Sequence, residues 1–244
     1  MQKLIIKGKK TLSGSIKISG SKNATLPILA AAILTDKTLI LKNIPFVQDV
    51  YTMINLLKFI GLSVKVSKKK NTLNISNNKK LKTVAPYNLL KTMRAGVLVL
   101  GPLLAKYNKA KVSLPGGCAI GARPVDLHLF ALEKLGAKIK IKNGYIHASA
   151  KNGLKGAIIK FPSISVGATE NAILAAVSAK GKTIISNCAI EPEIQDMILF
   201  LKKMGCNVNF IGKRKILVNG ISKFKSVSHE IIFDRIELGT YLIA

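Results

Sequence analysis

Residues 24–66, ATLPILAAAILTDKTLILKNIPFVQDVYTMINLLKFIGLSVKV, and residues 168–210, ATENAILAAVSAKGKTIISNCAIEPEIQDMILFLKKMGCNVNF, are two copies of one pattern. Each carries ILAA, then a Lys-Thr strand ending in Asn, then an Asp near the start of a helix with apolar periodicity. Each helix stops at a glycine and is followed by a short alternating strand. A middle copy, PVDLHLFALEKLGAKIKI, repeats the Asp, helix, glycine and strand. Gly61, Gly136 and Gly205 stand just past the last apolar turn, where a left-handed residue caps a helix cheaply. Asp49, Asp126 and Asp196 sit towards the opposite ends, where a carboxylate suits the positive end of the helix dipole. Three such copies predict three βαβ-rich units packed around buried helices, an α/β architecture with pseudo-threefold symmetry.

The chain has 244 residues and is 48% hydrophobic, which suits one large or two modest domains with real cores and excludes a disordered tail. Its longest apolar runs are interrupted by proline or glycine and fall short of the roughly 18 residues of a membrane helix. The opening MQKLIIKGKK has too short an apolar core for a secretion signal, so the expected address is the cytosol. Cys118, Cys188 and Cys206 are sparse and odd in number, without the spacing of a disulfide framework or a zinc site. His128, His147 and His229 are isolated in sequence, so no metal constellation is visible.

Net charge is +28, which by itself suggests nucleic acid or an acidic membrane surface. The distribution argues otherwise. Lysine supplies 35 of the cations and arginine only four, aromatics are 5%, and there is no tryptophan. Nucleic-acid readers lean on arginine forks and aromatic stacking. Salt-sensitive nonspecific binding is expected, and specific nucleic-acid recognition is not.

Four motifs can carry chemistry. Gly20-Ser21-Lys22-Asn23 precedes an Ala/Leu-rich helix and reads either as an anion site or as a capped helix with a solvated lysine. Lys91-Thr92-Met93-Arg94-Ala95-Gly96 is read on a helix starting after Pro86. Arg94 on its apolar surface either lines a polar cleft or makes a structural ion pair. The loop Pro115-Gly116-Gly117-Cys118-Ala119-Ile120-Gly121-Ala122-Arg123-Pro124-Val125-Asp126 presents an accessible thiol near a cation, a setting that raises reactivity. Cys188 and Cys206 read as small core residues. Ser163-Ile164-Ser165-Val166-Gly167-Ala168-Thr169 suits a phosphate or plain N-capping.

The segments SGSKNATLPILAAAIL, APYNLLKTMRAG, VSLPGGCAIGARPVDLH, LKGAIIKFPSISVGATEN, EPEIQD and DRIELGT resemble, in this order, the UDP-N-acetylglucosamine 1-carboxyvinyltransferase (enolpyruvyl transferase) family. The resemblance runs the length of the chain, and PGGCAIGARPVDLH is its most specific part. The sister enzyme of the shikimate pathway shares the fold but lacks that cysteine loop. The resemblance implies an inverted α/β barrel domain of three repeats. It also implies transfer of the enolpyruvyl group of phosphoenolpyruvate to the 3′-hydroxyl of UDP-N-acetylglucosamine, with release of phosphate and no metal or organic cofactor. Lys22 and Asn23 match the phosphoenolpyruvate-contacting pair, with Arg123 adding positive charge there. Cys118 matches the proton donor and the target of the antibiotic fosfomycin. Arg94, the segment Arg123, Pro124, Val125, Asp126 and Leu127, and the segment Ser163, Ile164, Ser165, Val166 and Gly167 match the nucleotide-sugar contacts. Some relatives carry lysine where this chain has Ser163, which weakens one phosphate contact.

Family members are considerably longer. Residues 1–21 read as two strands, MQKLIIKG and GSIKISG, of a second domain that is otherwise missing. Residues 22–232 read as the repeat-built domain and 233–244 as the start of the rest of the second domain. The expectation is an enolpyruvyl transferase fragment, relic or half of a split enzyme, with a carboxy-terminal domain or second polypeptide wanting. The alternatives are a nucleotide-sugar-binding module without turnover and, less favoured, a basic nucleic-acid-binding protein.

Overall fold

A computed structural model describes residues 3, 5, 8, 11, 13–77, 79–116 and 125–244. The first unit runs α1 (Lys22–Ala31), a 3-10 turn (Ala32–Leu34), β1 (Leu39–Lys42), α2 (Gln48–Ile60), β2 (Ser63–Ser67) and β3 (Thr72–Ser76). The second runs β4 (Val84–Ala85), α3 (Tyr87–Leu90), a 3-10 segment (Arg94–Val99), α4 (Leu100–Tyr107), β5 (Lys109–Ser113), α5 (Asp126–Lys134), β6 (Lys138–Lys142) and β7 (Tyr145–Ser149). The third runs β8 (Ile158–Lys160), α6 (Val166–Ala176), β9 (Lys182–Ser186), α7 (Pro192–Lys203), β10 (Asn207–Gly212) and β11 (Lys215–Asn219). After it come β12 (Val227–Glu230) and α8 (Arg235–Ile243).

Each unit holds one four-stranded sheet, and the three sheets have the same plan: β12-β1-β3-β2, β4-β5-β7-β6 and β8-β9-β11-β10. In each, the first pair is parallel and the hairpin that follows is antiparallel. The first unit borrows its parallel strand from the far end of the repeat region, with Leu39 opposite Val227 and Lys42 opposite Glu230. This borrowed strand closes the set of three.

The helices divide by burial. In α1 every residue from Ala24 to Ala31 is buried, and in α6 every residue from Ala168 to Ala176. Such helices lie inside, and their alanines let neighbouring backbones approach. α2 is amphipathic, burying Val50, Met53, Ile54, Leu57 and Ile60 at helical spacing. The arrangement is thus helices within and sheets without, the inverted order expected. Gly61, Gly136 and Gly205 have φ of 123°, 93° and 96°. Asn43 and Asn187 also match: both are left-handed, and their side-chain amides donate to the carbonyls of Ile231 (2.9 Å) and Phe161 (3.0 Å), just past β12 and β8. Among the described residues no helix is long and apolar enough to cross a membrane.

Three expectations change. Residues 14–20 form no strand. Gly20 alone bridges Phe233, while Ser21 N–H donates to the Ile232 carbonyl at 2.7 Å and Asp234 N–H to that of Ser19 at 2.8 Å. Ile16 is 58% exposed, and an alternating stretch with no strand beside it has too few bonds to hold that form. Second, the helix after Pro86 is broken into α3, the 3-10 segment and α4. Pro102 lacks an N–H and its ring crowds the carbonyl four residues back, which unseats the regular ladder there. Third, Asp196 lies in the second turn of α7, where Glu193 takes the first. Asp196 is buried and accepts from His229 Nε2 at 3.0 Å and from Ile232 N–H at 3.4 Å, pinning β12 to α7 rather than serving a helix dipole.

Candidate active site

α1 and α6 begin alike. Ser21 and Ser165 are their N-caps, each accepting the third helical N–H (Ala24 and Ala168) at 3.3 Å. Thr25 and Thr169 donate to the carbonyls of the same two serines at 2.7 and 2.8 Å. The first two N–H groups of each helix have no partner within the helix, and the positive end of each dipole stands beside them. Both ends open on one cavity of about 550 Å³, with the start of the 3-10 segment on a third side. Lys22, Asn23, Arg94, Ser165, Val166 and Gly167 lie on its wall. A cavity walled by two such helix ends, lysine and arginine is built for an anion.

The cations are held in place. Lys22 Nζ donates to Asp49 Oδ2 at 2.9 Å, and Asp49 itself occupies the first turn of α2. Arg94 is half-buried. Gly116 also lies on the wall, and a Cβ there would overlap the Lys91 carbonyl oxygen, so only glycine lets the chain pass.

Below Arg94 lies a buried amide–imidazole relay. Asn171 Oδ1 accepts the Gly101 N–H at 2.8 Å, and Asn171 Nδ2 donates to the Val97 carbonyl at 3.2 Å. Leu100 N–H also donates to the Val97 carbonyl at the end of the 3-10 segment, so the Asn171 amide bridges the junction by taking the Gly101 N–H and adding a second bond to that carbonyl. This bonding fixes which end of the amide faces His128. Nδ2 lies 3.1 Å from His128 Nδ1, so Nδ1 accepts and the imidazole proton resides on Nε2. His128 is on the cavity wall, and a Cβ built on Gly167 would stand 3.2 Å from Nε2. Burial, reinforced by the Arg94 charge and opposed by Asp126, lowers the His128 pKa to about 4. The cavity therefore receives a neutral N–H donor.

Of the residues singled out in the sequence, Lys22, Asn23, Arg94, Ser165, Val166 and Gly167 converge. Ser163 and Ile164 are exposed and off this wall, Val125 is buried, Asp126 is exposed, and Leu127 packs against the core. Cys118, Arg123 and Pro124 lie outside the described residues. Sequence reasoning missed His128, Asn171, Glu170 and the role of Asp49. Asp49 was legible as a helix-opening acid but not as the partner of Lys22, and the others looked like ordinary helix residues. Cys188 and Cys206 are buried, and desolvation raises both thiols, Cys206 to about 12. Among the described residues no group of three or more His, Cys, Asp or Glu could hold a metal.

The family profile of EPSP synthase (3-phosphoshikimate 1-carboxyvinyltransferase) matches residues 6–244. Three curated relatives are each described as UDP-N-acetylglucosamine 1-carboxyvinyltransferase. That of Pelagibacter ubique is 59% identical over 100% of this chain and 58% of its own length. That of Endomicrobium trichonymphae is 54% identical with the same coverage, and that of Chlorobaculum parvum is 50% identical over 99% of this chain and 57% of its own. The chain thus spans under three-fifths of these relatives. Among solved structures, the enolpyruvyl transferase NikO from Streptomyces tendae superposes with a TM-score of 0.82 at 18% identity, covering 96% of this chain and 55% of that one. EPSP synthase from Acinetobacter baumannii gives 0.74 at 18% identity, covering 92% and 51%. At such identity these two superpositions speak to the fold alone.

Proposed function

We propose that this chain, which belongs to the EPSP synthase (3-phosphoshikimate 1-carboxyvinyltransferase) family, provides the nucleotide-sugar and phosphoenolpyruvate cleft of a UDP-N-acetylglucosamine 1-carboxyvinyltransferase. The observation that carries the reading is the convergence of two identically capped helix ends with Lys22, Asn23 and Arg94 on one cavity. Both substrates are multiply anionic, and fixed N–H groups with guarded cations stabilise charge where phosphate binds and departs. The choice of UDP-N-acetylglucosamine over a shikimate follows the description of the relatives at 50–59% identity.

In this reading the 3′-hydroxyl of the sugar gives up its proton and adds to C2 of phosphoenolpyruvate while C3 takes a proton. The tetrahedral adduct then loses phosphate from C2 and a proton from C3, which restores the double bond as the enolpyruvyl ether. Lys22, Asn23 and Arg123 contact phosphoenolpyruvate. Arg94, Arg123–Leu127 and Ser163–Gly167 contact the nucleotide sugar, and Cys118 delivers the proton to C3. The same thiol is the site at which fosfomycin acts. The product enters peptidoglycan synthesis in the cytoplasm at its first committed step, on which cell-wall growth, shape and division depend. A carboxy-terminal domain or second polypeptide completes the site.

The test is phosphate release by the purified chain with both substrates and a Cys118→Ala control. Release that needs both and falls in the control supports turnover by these residues. A second reading of the same cavity is nucleotide-sugar binding without turnover. Saturable UDP-N-acetylglucosamine binding without release supports that one, and absence of both contradicts the two together.

A further inference from the structure

Among the described residues Thr183 Oγ1 in β9 is a fully enclosed side-chain atom without a partner, whereas Glu170 is a nearly buried acid that faces cavities. It sits one turn into α6, on the wall shared by the main cavity and an adjoining one of about 260 Å³. It is 4% exposed and, among the described residues, makes no hydrogen bond or ion pair. Its acidic neighbours are already engaged. Glu193 accepts from Arg235 Nε at 3.0 Å, and Glu191 accepts the Ile190 N–H at 2.8 Å. Burial first, then the charges of Glu193 and Glu191, push the Glu170 carboxyl well above the usual carboxylate range. As the neutral acid it keeps one O–H donor and one carbonyl acceptor unspent. A buried polar group without a partner is costly and persists where a ligand supplies the partner.

We propose that Glu170 is a ligand-contacting residue of the cleft. It enters the complex as the neutral acid, and its O–H donates to a carboxylate or phosphoryl oxygen of the anion held at the amino ends of α1 and α6. The proposal rests on the reading of this cavity as an anion cleft and adds a residue to it. The charged surroundings support a donor rather than a carboxylate here. From α1 and α2 come Lys22 and Asp49, already paired, from the segment before the 3-10 helix Lys91, and from that helix's first residue Arg94. His128 of α5 is neutral, and Asp126 on the same helix is exposed. The N-cap of α7 contributes Glu191, α7 itself Glu193 and Asp196, the latter bonded to His229, and α8 Arg235. α4 carries Lys106, bonded at its far end to Asp36, and Tyr107, whose hydroxyl accepts the Leu81 N–H, while Lys182 of β9 and Lys215 of β11 are exposed. An ionised Glu170 would repel the incoming anion, so binding and protonation of Glu170 are coupled. Affinity is highest where Glu170 stays protonated and falls as pH rises through its titration, with a proton taken up on binding in that range.

The experiment is calorimetric titration of the full chain with phosphoenolpyruvate, UDP-N-acetylglucosamine and inorganic phosphate in separate arms. It runs from about pH 6 to about pH 9 in two buffers of different ionisation enthalpy. The ligand whose oxygen meets Glu170 loses affinity by up to about tenfold per pH unit above the titration, with proton uptake approaching one. In Glu170→Gln, which keeps an N–H donor but has no proton to exchange, both the extra pH dependence and the uptake disappear. Glu170→Leu, which fills the space without a donor, loses affinity for that ligand even at the low end of the range. A Gln variant that keeps the wild-type pH profile and proton uptake overturns the proposal while leaving the anion cleft intact. A folded wild-type chain that binds none of the three ligands at any pH refutes the cleft reading itself and this inference with it.

Discussion

Replacing Asn171 by leucine tests the interior of the molecule at its most interdependent point. The substitution keeps volume and removes three bonds at once: to Gly101 N–H, to the Val97 carbonyl and to His128 Nδ1. Each buried group left unmade costs about 1–3 kcal/mol. The Val97 carbonyl keeps the Leu100 N–H, so the Gly101 N–H and His128 Nδ1 are the groups that lose their partner. The net expectation is a loss of about 3 kcal/mol. With a urea slope on the order of 3 kcal/mol/M for a chain of this size, the unfolding midpoint falls by about 1 M. Gly101→Ala attacks the same contact from the other side, since its Cβ would overlap Asn171 Oδ1. That Cβ would also stand 2.7 Å from the Asn171 backbone oxygen, which leucine retains, so the two effects share the relay and combine to less than their sum, with the backbone overlap carried over in full. A midpoint shift in Asn171→Leu below about 0.3 M, or strict additivity with Gly101→Ala, refutes the claim that this amide splices the helix junction.

Further outcomes follow from the same structure. His128 has a folded pKa of about 4 against an ordinary value of 6.5, so its contribution is present above pH 6.5 and is lost as pH falls towards 4. Equilibrium unfolding at several pH values should show the wild type losing up to about 3 kcal/mol more than His128→Gln across that window, and parallel curves would contradict the buried neutral imidazole. His229→Leu leaves the Asp196 carboxylate without its side-chain partner under β12 and should cost on the order of 3 kcal/mol by urea titration, whereas a neutral effect would show that β12 is not pinned there. With both thiols raised by burial, Cys188 and Cys206 should resist alkylation near neutral pH until the chain is unfolded, as read by intact mass; rapid labelling of Cys206 in the native chain would be inconsistent with its place in the core.

Much of this architecture is written locally. Gly61, Gly136 and Gly205 need backbone angles that side chains resist, so their recurrence after apolar helices marks three units without any tertiary knowledge. Asn43 and Asn187 repeat for the same reason, with an added bond to a neighbouring strand. What stayed hidden depends on distant partners. β12 pairs with β1 from the opposite end of the repeat region, so nothing local reveals that it completes the first sheet. Asp196 looked like a helix-opening acid because its partner, His229, is far along the chain. The break before α4 was signalled by Pro102, but the apolar run around Arg94 masked it.

The cleft was half legible. The two Ser-capped helix starts share the Ala-Thr pair that follows them, so Lys22, Asn23 and Ser165–Gly167 could be placed at helix ends from sequence alone. That both ends face one cavity is a consequence of packing α1 beside α6, which no local motif encodes. Glu170 and Asn171 follow directly on that Ala-Thr pair, and only their burial separates them from surface helix residues.

The measurement that bears most directly on the whole account is calorimetric titration of UDP-N-acetylglucosamine into the folded chain, beside Arg94→Leu and Gly167→Val. The Gly167 change places a branched side chain against the His128 ring at the mouth of α6. The account predicts saturable binding at one site that weakens at least about tenfold in both variants, or about 1.4 kcal/mol. Saturable binding that neither variant disturbs, or no binding by a chain that unfolds cooperatively, would contradict it.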